Sequence, residues 1–323
     1  MKILVNATAN NSRGPLSLTK NFLLDMKENQ KFLKHNNIFL HVLVSKRELV
    51  DFSTKNVEII YNGTPKKSFF HKYYFEHLFL PKYLNENDFD WYLSLQNTSI
   101  KKGDYYQCAL VHTSLPFETL SFKDIEIKNY LKYKLLLRNM LKLQKNNMNI
   151  VIVQTKWIKE ELEKLSFHQT IKVLRPNSND IKTLDKKISK ELEAKIIEGS
   201  NIKLFYPTNI EKYKNNNTLI KAVENFNKIN KDSKVTLYLT LDGQDKRGVK
   251  YIGRVPYESI YNIYKSMDAL IFPSMTETLG LPLLEAKQCN LPILVSDRKY
   301  SREVCDESAY YFDPTSVESI VSK

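Results

Sequence analysis

The chain has 323 residues, 42% of them hydrophobic, with a formal net charge of +13 and three cysteines. That length is generous for one core and comfortable for two α/β domains, while no stretch approaches the roughly 20 apolar residues of a membrane-spanning helix. Cys108, Cys289 and Cys305 lack CxxC or metal-ligand spacing and fit packing residues in a reducing cytoplasm, whereas the positive balance suits nucleic acid, an anionic membrane surface or phosphorylated substrates, or is simply a lysine-rich composition.

Short apolar runs alternate with longer amphipathic ones, the pattern of strands crossing to helices and back. KILVN (2–6) opens the series as a buried strand, its apolar run being too short for a signal-peptide core. A helical rhythm follows from Leu16 to Met26. The next strands are IFLHVLV (38–44), VEII (57–60), WYLSL (91–95), CALVH (108–112) and IVIVQ (150–154). A short helix from Trp157 to Leu165 and IKVLRP (171–176) close the first doubly wound unit.

Residues 178–200 are polar and poor in aromatics, and are expected to hold the crossing between domains and a first helix. The alternation then restarts with KLFYP (203–207), a helix from Thr218 to Phe226 and VTLYLTL (235–241). YIG (251–253), Ile260 to Met267, ALIFP (269–273), Leu281 to Cys289, PILVS (292–296) and AYYF (309–312) complete it. The expected architecture is α/β with two Rossmann-like domains, 1–177 and 178–323, facing across a cleft, where ligands of such folds bind at the carboxyl ends of the strands. Two segments, 66–84 and 123–145, mix basic with aromatic or aliphatic residues. Each can lie on an anionic membrane surface or pack on the first sheet with its lysines in solvent.

The informative stretch is Pro273–Glu285, PSMTETLGLPLLE. Glu277 and Glu285 stand eight positions apart around Gly280-Leu281-Pro282, where a strand-to-helix loop becomes a helix. Gly280 lets backbone approach a ligand, and Pro282 suits a first helical turn. The amides at that helix start, with the positive end of its dipole, form an anion site suited to a diphosphate. Glu285 lies one turn along, within reach of ribose hydroxyls, and Glu277 precedes it facing the sugar.

This passage resembles the family-4 retaining glycosyltransferases of the GT-B fold, whose signature is E-x7-E around an (F/T)GLP loop, here with Leu279 where Phe is commoner. The likeness extends through Tyr251-Ile-Gly-Arg254, Pro273-Ser274, Pro292–Asp297, Ser301–Val304 and Phe312-Asp313-Pro314, almost continuously from Val249 to Pro314. It implies transfer of a sugar from a nucleotide diphosphate with retention at the anomeric carbon, no metal and no other cofactor. Donor contacts carried over are Lys214, Arg254, Thr278, Leu279, Gly280, Leu281 and Glu285. The family's arginine about six positions before that lysine is Thr208 here, a place for Arg254 or Arg13 to compensate. VHTSLPFE (111–118) is similar to a subgroup that builds bacterial surface polysaccharides and makes His112 a catalytic contact near the reacting carbon, with Glu277. The loop 10–15 matches the family's Gly-Gly loop only in part, Pro15 replacing the second glycine; Arg13, Gly14 and Asn97, with Thr98, are acceptor-side groups.

The expected acceptor is a saccharide or lipid-linked saccharide of lipopolysaccharide, O-antigen or capsule at the cytoplasmic membrane face. Nucleic acid is not expected, since neither a clustered basic face nor a recognised module is present. A GT-B phosphorylase or epimerase and a catalytically silent subunit are the alternatives. Relatives usually continue past the FDP strand with helices that pack back on the first domain, so the resemblance implies either a chain shortened at its C-terminus or a protein that does without that clasp.

Overall fold

Parallel strands need crossover connections, usually helices, and both sheets of this chain obey that rule. The computed structural model describes residues 1–11, 13–176, 181–184, 186–197, 202–230 and 234–323, with Arg13 and Phe69 described by backbone only. Ser12 of the loop 10–15, and positions 178–180, 185 and 198–200 of the expected interdomain crossing, lie outside the described residues. The chain divides into two units: Met1–Thr113 with Leu135–Arg175, and Ser114–Lys134 with Pro176–Lys323. The sequence placed the division after residue 177; the structure divides after 175 and also groups 114–134 with the second unit.

In the first unit, β1 (Lys2–Asn6), β2 (Phe39–Val44), β3 (Val57–Tyr61), β4 (Trp91–Ser94), β5 (Tyr106–Val111), β6 (Ile150–Val153) and β7 (Thr170–Val173) form one parallel sheet ordered β3-β2-β1-β4-β5-β6-β7. Alternation along β1 sends Leu4 and Val5 to opposite faces, each into its own apolar cluster. Val5 packs with Val42, Val44 and Ile59, while Leu4 packs with Leu43, Phe75 and Tyr92. In the second unit, β8 (Ile202–Tyr206), β9 (Val235–Leu239), β10 (Val249–Tyr251), β11 (Ala269–Phe272), β12 (Ile293–Ser296) and β13 (Tyr310–Phe312) are ordered β10-β9-β8-β11-β12-β13. Every residue of β9 and β11 is buried, which is why those strands read as continuous apolar runs.

Both basic segments are helical with a π turn. Residues 69–86 run as Phe69–Tyr74, a π segment Phe75–Phe79, and Leu80–Glu86. Phe75, Leu80 and Leu84 are buried, whereas Phe70, Tyr73, Tyr74 and Leu78 are exposed. Residues 127–144 run as Ile127–Asn129, a π segment Tyr130–Leu137, and Arg138–Gln144, with Leu141 buried and Leu131, Leu135 and Leu143 exposed. Among the described residues no helix is long and apolar enough to cross a membrane. The helix after β1 begins at Arg13, so Arg13, Gly14 and Pro15 form its first turn rather than the end of a loop.

Candidate functional site

The second unit gathers its polar residues where β8 and β11 end. Tyr213 and Lys214 lie in a short 3-10 turn after β8, and Asn215 closes that turn in the left-handed region at φ 59°. After β11, Pro273 begins a buried loop that reaches the Leu281–Gln288 helix through Gly280, whose φ of 74° and ψ of 64° only glycine adopts without strain. The two loops are joined by the amide of Met275, which donates to the Tyr213 carbonyl oxygen at 2.7 Å. Beneath them, Leu115, Leu120 and Ile125 from the 114–134 segment pack on Met275, with Tyr130, Tyr133 and Tyr213 around the edge. Asn129 Nδ2 of that segment donates to Glu211 Oε2 at 2.9 Å.

Lys214 and Glu277, 63 positions apart in sequence, meet here. Lys214 Nζ donates to Glu277 Oε1 at 2.5 Å, and Ser274 Oγ donates to the same oxygen at 2.7 Å. Both charged side chains are mostly buried, at 13% and 17% exposure, so their attraction is screened less than that of a surface pair. Leu281 is half exposed at the helix start, Thr278 is half-buried, and Leu279 and Gly280 are buried.

Glu285 sits one turn into that helix and is buried. Burial raises its pKa above the ordinary carboxylate range, opposed by hydrogen bonds from the Tyr264 and Tyr257 hydroxyls; the Tyr264 bond is 2.9 Å. Sequence reading singled out Glu285 and missed both tyrosines, which belong to the preceding βα unit. Their aromatic character in NIYK and PYES is no local signal for a carboxylate partner. Arg254 stands apart from the Lys214–Glu277 pair. It is exposed and lines a cavity of about 720 Å³ with Lys186, Lys195, Asp242 and Gly253, and the cavity continues to Ser259 beside Tyr257. Thr208, where the resemblance carries an arginine, is tied down instead: its amide donates to Thr240 Oγ1 at 2.7 Å and its hydroxyl to Asn216 Oδ1 at 2.9 Å.

In the first unit the strand ends bring His112 and Asn97 together. Asn97 is held in the left-handed region at φ 70°, and its Oδ1 accepts the His112 amide at 2.8 Å. His112 Nε2 lies 3.2 Å from the Leu95 carbonyl oxygen and 3.3 Å from Asn97 Nδ2. Burial lowers the histidine pKa, so the ring is neutral at pH 7. Gly14 is in the first helical turn, with open space where a Cβ would project. The loop before it is braced by residues no motif announced. Gln96 Oε1 accepts the Ala9 amide at 3.0 Å, Lys66 Nζ donates to the Ala9 carbonyl oxygen at 2.8 Å, and Gln96 Nε2 donates to Glu76 at 2.6 Å. Glu76 is 3% exposed, and desolvation raises its pKa.

Residues 187–323 match the family Glycosyl transferases group 1. Over 72 residues the chain is 33% identical to O-antigen chain mannosyltransferase B of Escherichia coli, covering 22% of this chain and 19% of that protein. Over 81 residues it is 31% identical to O-antigen chain mannosyltransferase RfbU of Salmonella typhimurium, covering 25% and 23%. The chain thus spans about a fifth of the length of these relatives. Its fold is similar to Anabaena Alr3699/HepE solved with UDP and glucose, at TM-score 0.66 and 15% identity over 100% of this chain and 88% of that one. It is likewise similar to sucrose-phosphate synthase of Thermosynechococcus elongatus, at TM-score 0.69 and 12% identity over the same shares. The C-terminal part of the chain is therefore similar to the group 1 glycosyl transferases, and the chain has the GT-B fold of two parallel-sheet Rossmann-like units.

Proposed function

We propose that the protein is a retaining, metal-independent hexosyltransferase that moves a sugar from a nucleoside diphosphate to a saccharide or lipid-linked saccharide of a cell-surface glycan. The observation that carries this reading is the Lys214–Glu277 pair set beside the left-handed Gly280 at the start of the Leu281–Gln288 helix. The two mannosyltransferase relatives and the UDP complex of the Anabaena protein support the donor class. In this reading the helix-start amides and Lys214 take the diphosphate, Glu285 meets the ribose, and the cavity beside Arg254 receives the nucleoside end.

As the bond from the anomeric carbon to the diphosphate oxygen breaks, its electron pair passes to the leaving diphosphate. The amides at Gly280 and Leu281 with the Lys214 ammonium meet that growing charge, a preorganised arrangement that acts where charge develops. The acceptor hydroxyl oxygen forms the new bond on the same face, and its proton passes to a phosphate oxygen. Glu277 holds sugar hydroxyls and opposes positive charge at the anomeric carbon, while the neutral His112 offers a hydrogen bond to the sugar. Gly14, Arg13 and Asn97 serve the acceptor.

Incubation with a panel of UDP- and GDP-sugars, measuring nucleotide release, tests this reading; Lys214→Ala and Glu285→Ala should each slow release about a hundredfold or more. Binding of a nucleotide sugar without turnover on any acceptor would favour the silent-subunit reading, which the Thr208 substitution motivates. Peripheral attachment to an anionic membrane belongs to the same proposal, through the exposed Phe70, Tyr73, Tyr74 and Leu78 beside Lys67 and Lys82. Failure to float with phosphatidylglycerol vesicles at low salt would remove it.

A further inference from the structure

The donor reading leaves open how Glu277 is kept from spending both carboxylate oxygens on its own protein. We propose that Ser274 and Tyr300 are positioning residues that confine the internal contacts of Glu277 to one oxygen and hold the other for the donor sugar. Both Lys214 Nζ and Ser274 Oγ donate to Oε1, and among the described residues Oε2 takes no hydrogen bond. With 17% of its side chain exposed, Glu277 remains accessible to a ligand.

Ser274 is fully buried, and so is the scaffold that fixes it. The Tyr300 hydroxyl donates to the Ser274 carbonyl oxygen at 2.9 Å, and Ser296 Oγ donates to the same oxygen at 2.5 Å. The two hydroxyls are themselves 2.9 Å apart. This convergence follows from topology: β11 and β12 are parallel neighbours paired through Phe272 and Val295, so the segments leaving their carboxyl ends run side by side. Tyr300 also closes the other side of the loop, because a Cβ built on Gly280 would stand 3.6 Å from its ring. One buried phenol thus supports both the residue that orients Glu277 and the glycine that opens the helix start. A neutral hydrogen bond inside such a network is worth more than on the surface, since no water replaces it when it is lost.

The proposal rests on the donor reading and is tested by separating nucleotide binding from sugar handling. Calorimetry with UDP and GDP, and with UDP-glucose and GDP-mannose, is paired with initial rates of nucleotide release for wild type, Ser274→Ala and Tyr300→Phe. The expected result is unchanged affinity for the bare nucleoside diphosphate in both variants. For the nucleotide sugar, kcat should fall at least tenfold in Ser274→Ala and several-fold in Tyr300→Phe, which keeps the ring against Gly280. Kinetic constants at wild-type level in both variants would overturn the proposal alone. So would an equal loss of affinity for diphosphate and nucleotide sugar, the mark of a merely structural role. Wild-type protein that binds none of the four ligands would overturn the donor reading and this proposal with it.

Discussion

Replacing Gly280 by alanine tests the joint on which the site turns. At φ 74° and ψ 64° an L-residue pays about 1–2 kcal/mol for the left-handed conformation. The added Cβ would also stand 3.1 Å from Leu283 Cδ1 and 3.5 Å from its Cγ, so the leucine must shift in a buried position. Strain and crowding together give a loss of about 2 kcal/mol, or roughly 1 M in urea midpoint for a slope near 2 kcal/mol/M. Far-UV circular dichroism in urea reads that shift. Gly14→Ala is the control: nothing lies within 4 Å of its added Cβ, and it sits in the first turn of Arg13–Glu28. That variant should match or slightly exceed wild type, because alanine is the better helix former by up to about 1 kcal/mol. Gly280→Ala should in addition weaken UDP or GDP binding about tenfold, the loss of one hydrogen bond to a charged group at roughly 1.5 kcal/mol. A Gly280→Ala protein with wild-type midpoint and wild-type nucleotide affinity would refute both the conformational argument and the assignment of the helix start as the anion site.

Other expectations follow from the same geometry. Lys214→Ala should lower kcat/KM about 10²- to 10³-fold, the usual cost of removing one preorganised donor, with a steady-state rate assay as the check. Glu76 has a pKa raised above 4.5 by burial, so the folded state holds its proton more tightly than the unfolded state. Its carboxylate therefore costs stability as pH rises from the ordinary glutamate range through the raised folded value. Thermal melts across pH 4 to 7 should show Glu76→Gln gaining on wild type as pH increases; a constant difference would count against the burial argument. Burial pushes the Cys108 thiol up to about 12 and the Cys305 thiol up to about 11, which keeps both protonated. Titration of the native protein with a thiolate-selective disulfide reagent should modify Cys289 alone, and Cys289→Ser should abolish that signal.

Much of this protein was legible in its sequence because both sheets are parallel and largely buried. VTLYL and ALIF are nearly pure apolar runs since helices cover both faces, and that continuity marks β9 and β11 directly. The loop from Pro273 to Glu285 was equally readable, because glycine and proline are local requirements of a strand-to-helix turn and the two glutamates around them carry the family resemblance. Where local cues mislead, as at Arg13–Pro15, proline's compatibility with a first helical turn lets the helix begin earlier than a glycine-proline pair suggests.

What tertiary structure alone decided is partnership. Nothing near Lys214 in sequence announces Glu277, and nothing near Glu285 announces Tyr257 and Tyr264, since parallel topology pairs residues across whole βα units. The grouping of 114–134 with the second unit is likewise invisible in the composition of that segment. Glu76 makes the same point: among exposed aromatics it reads as one more surface charge, yet a π turn buries it against Gln96. Periodicity and turn chemistry are properties of neighbours along the chain, so sequence determines elements and their punctuation. Burial and hydrogen-bond partners depend on distances through space, which the packed sheets alone supply.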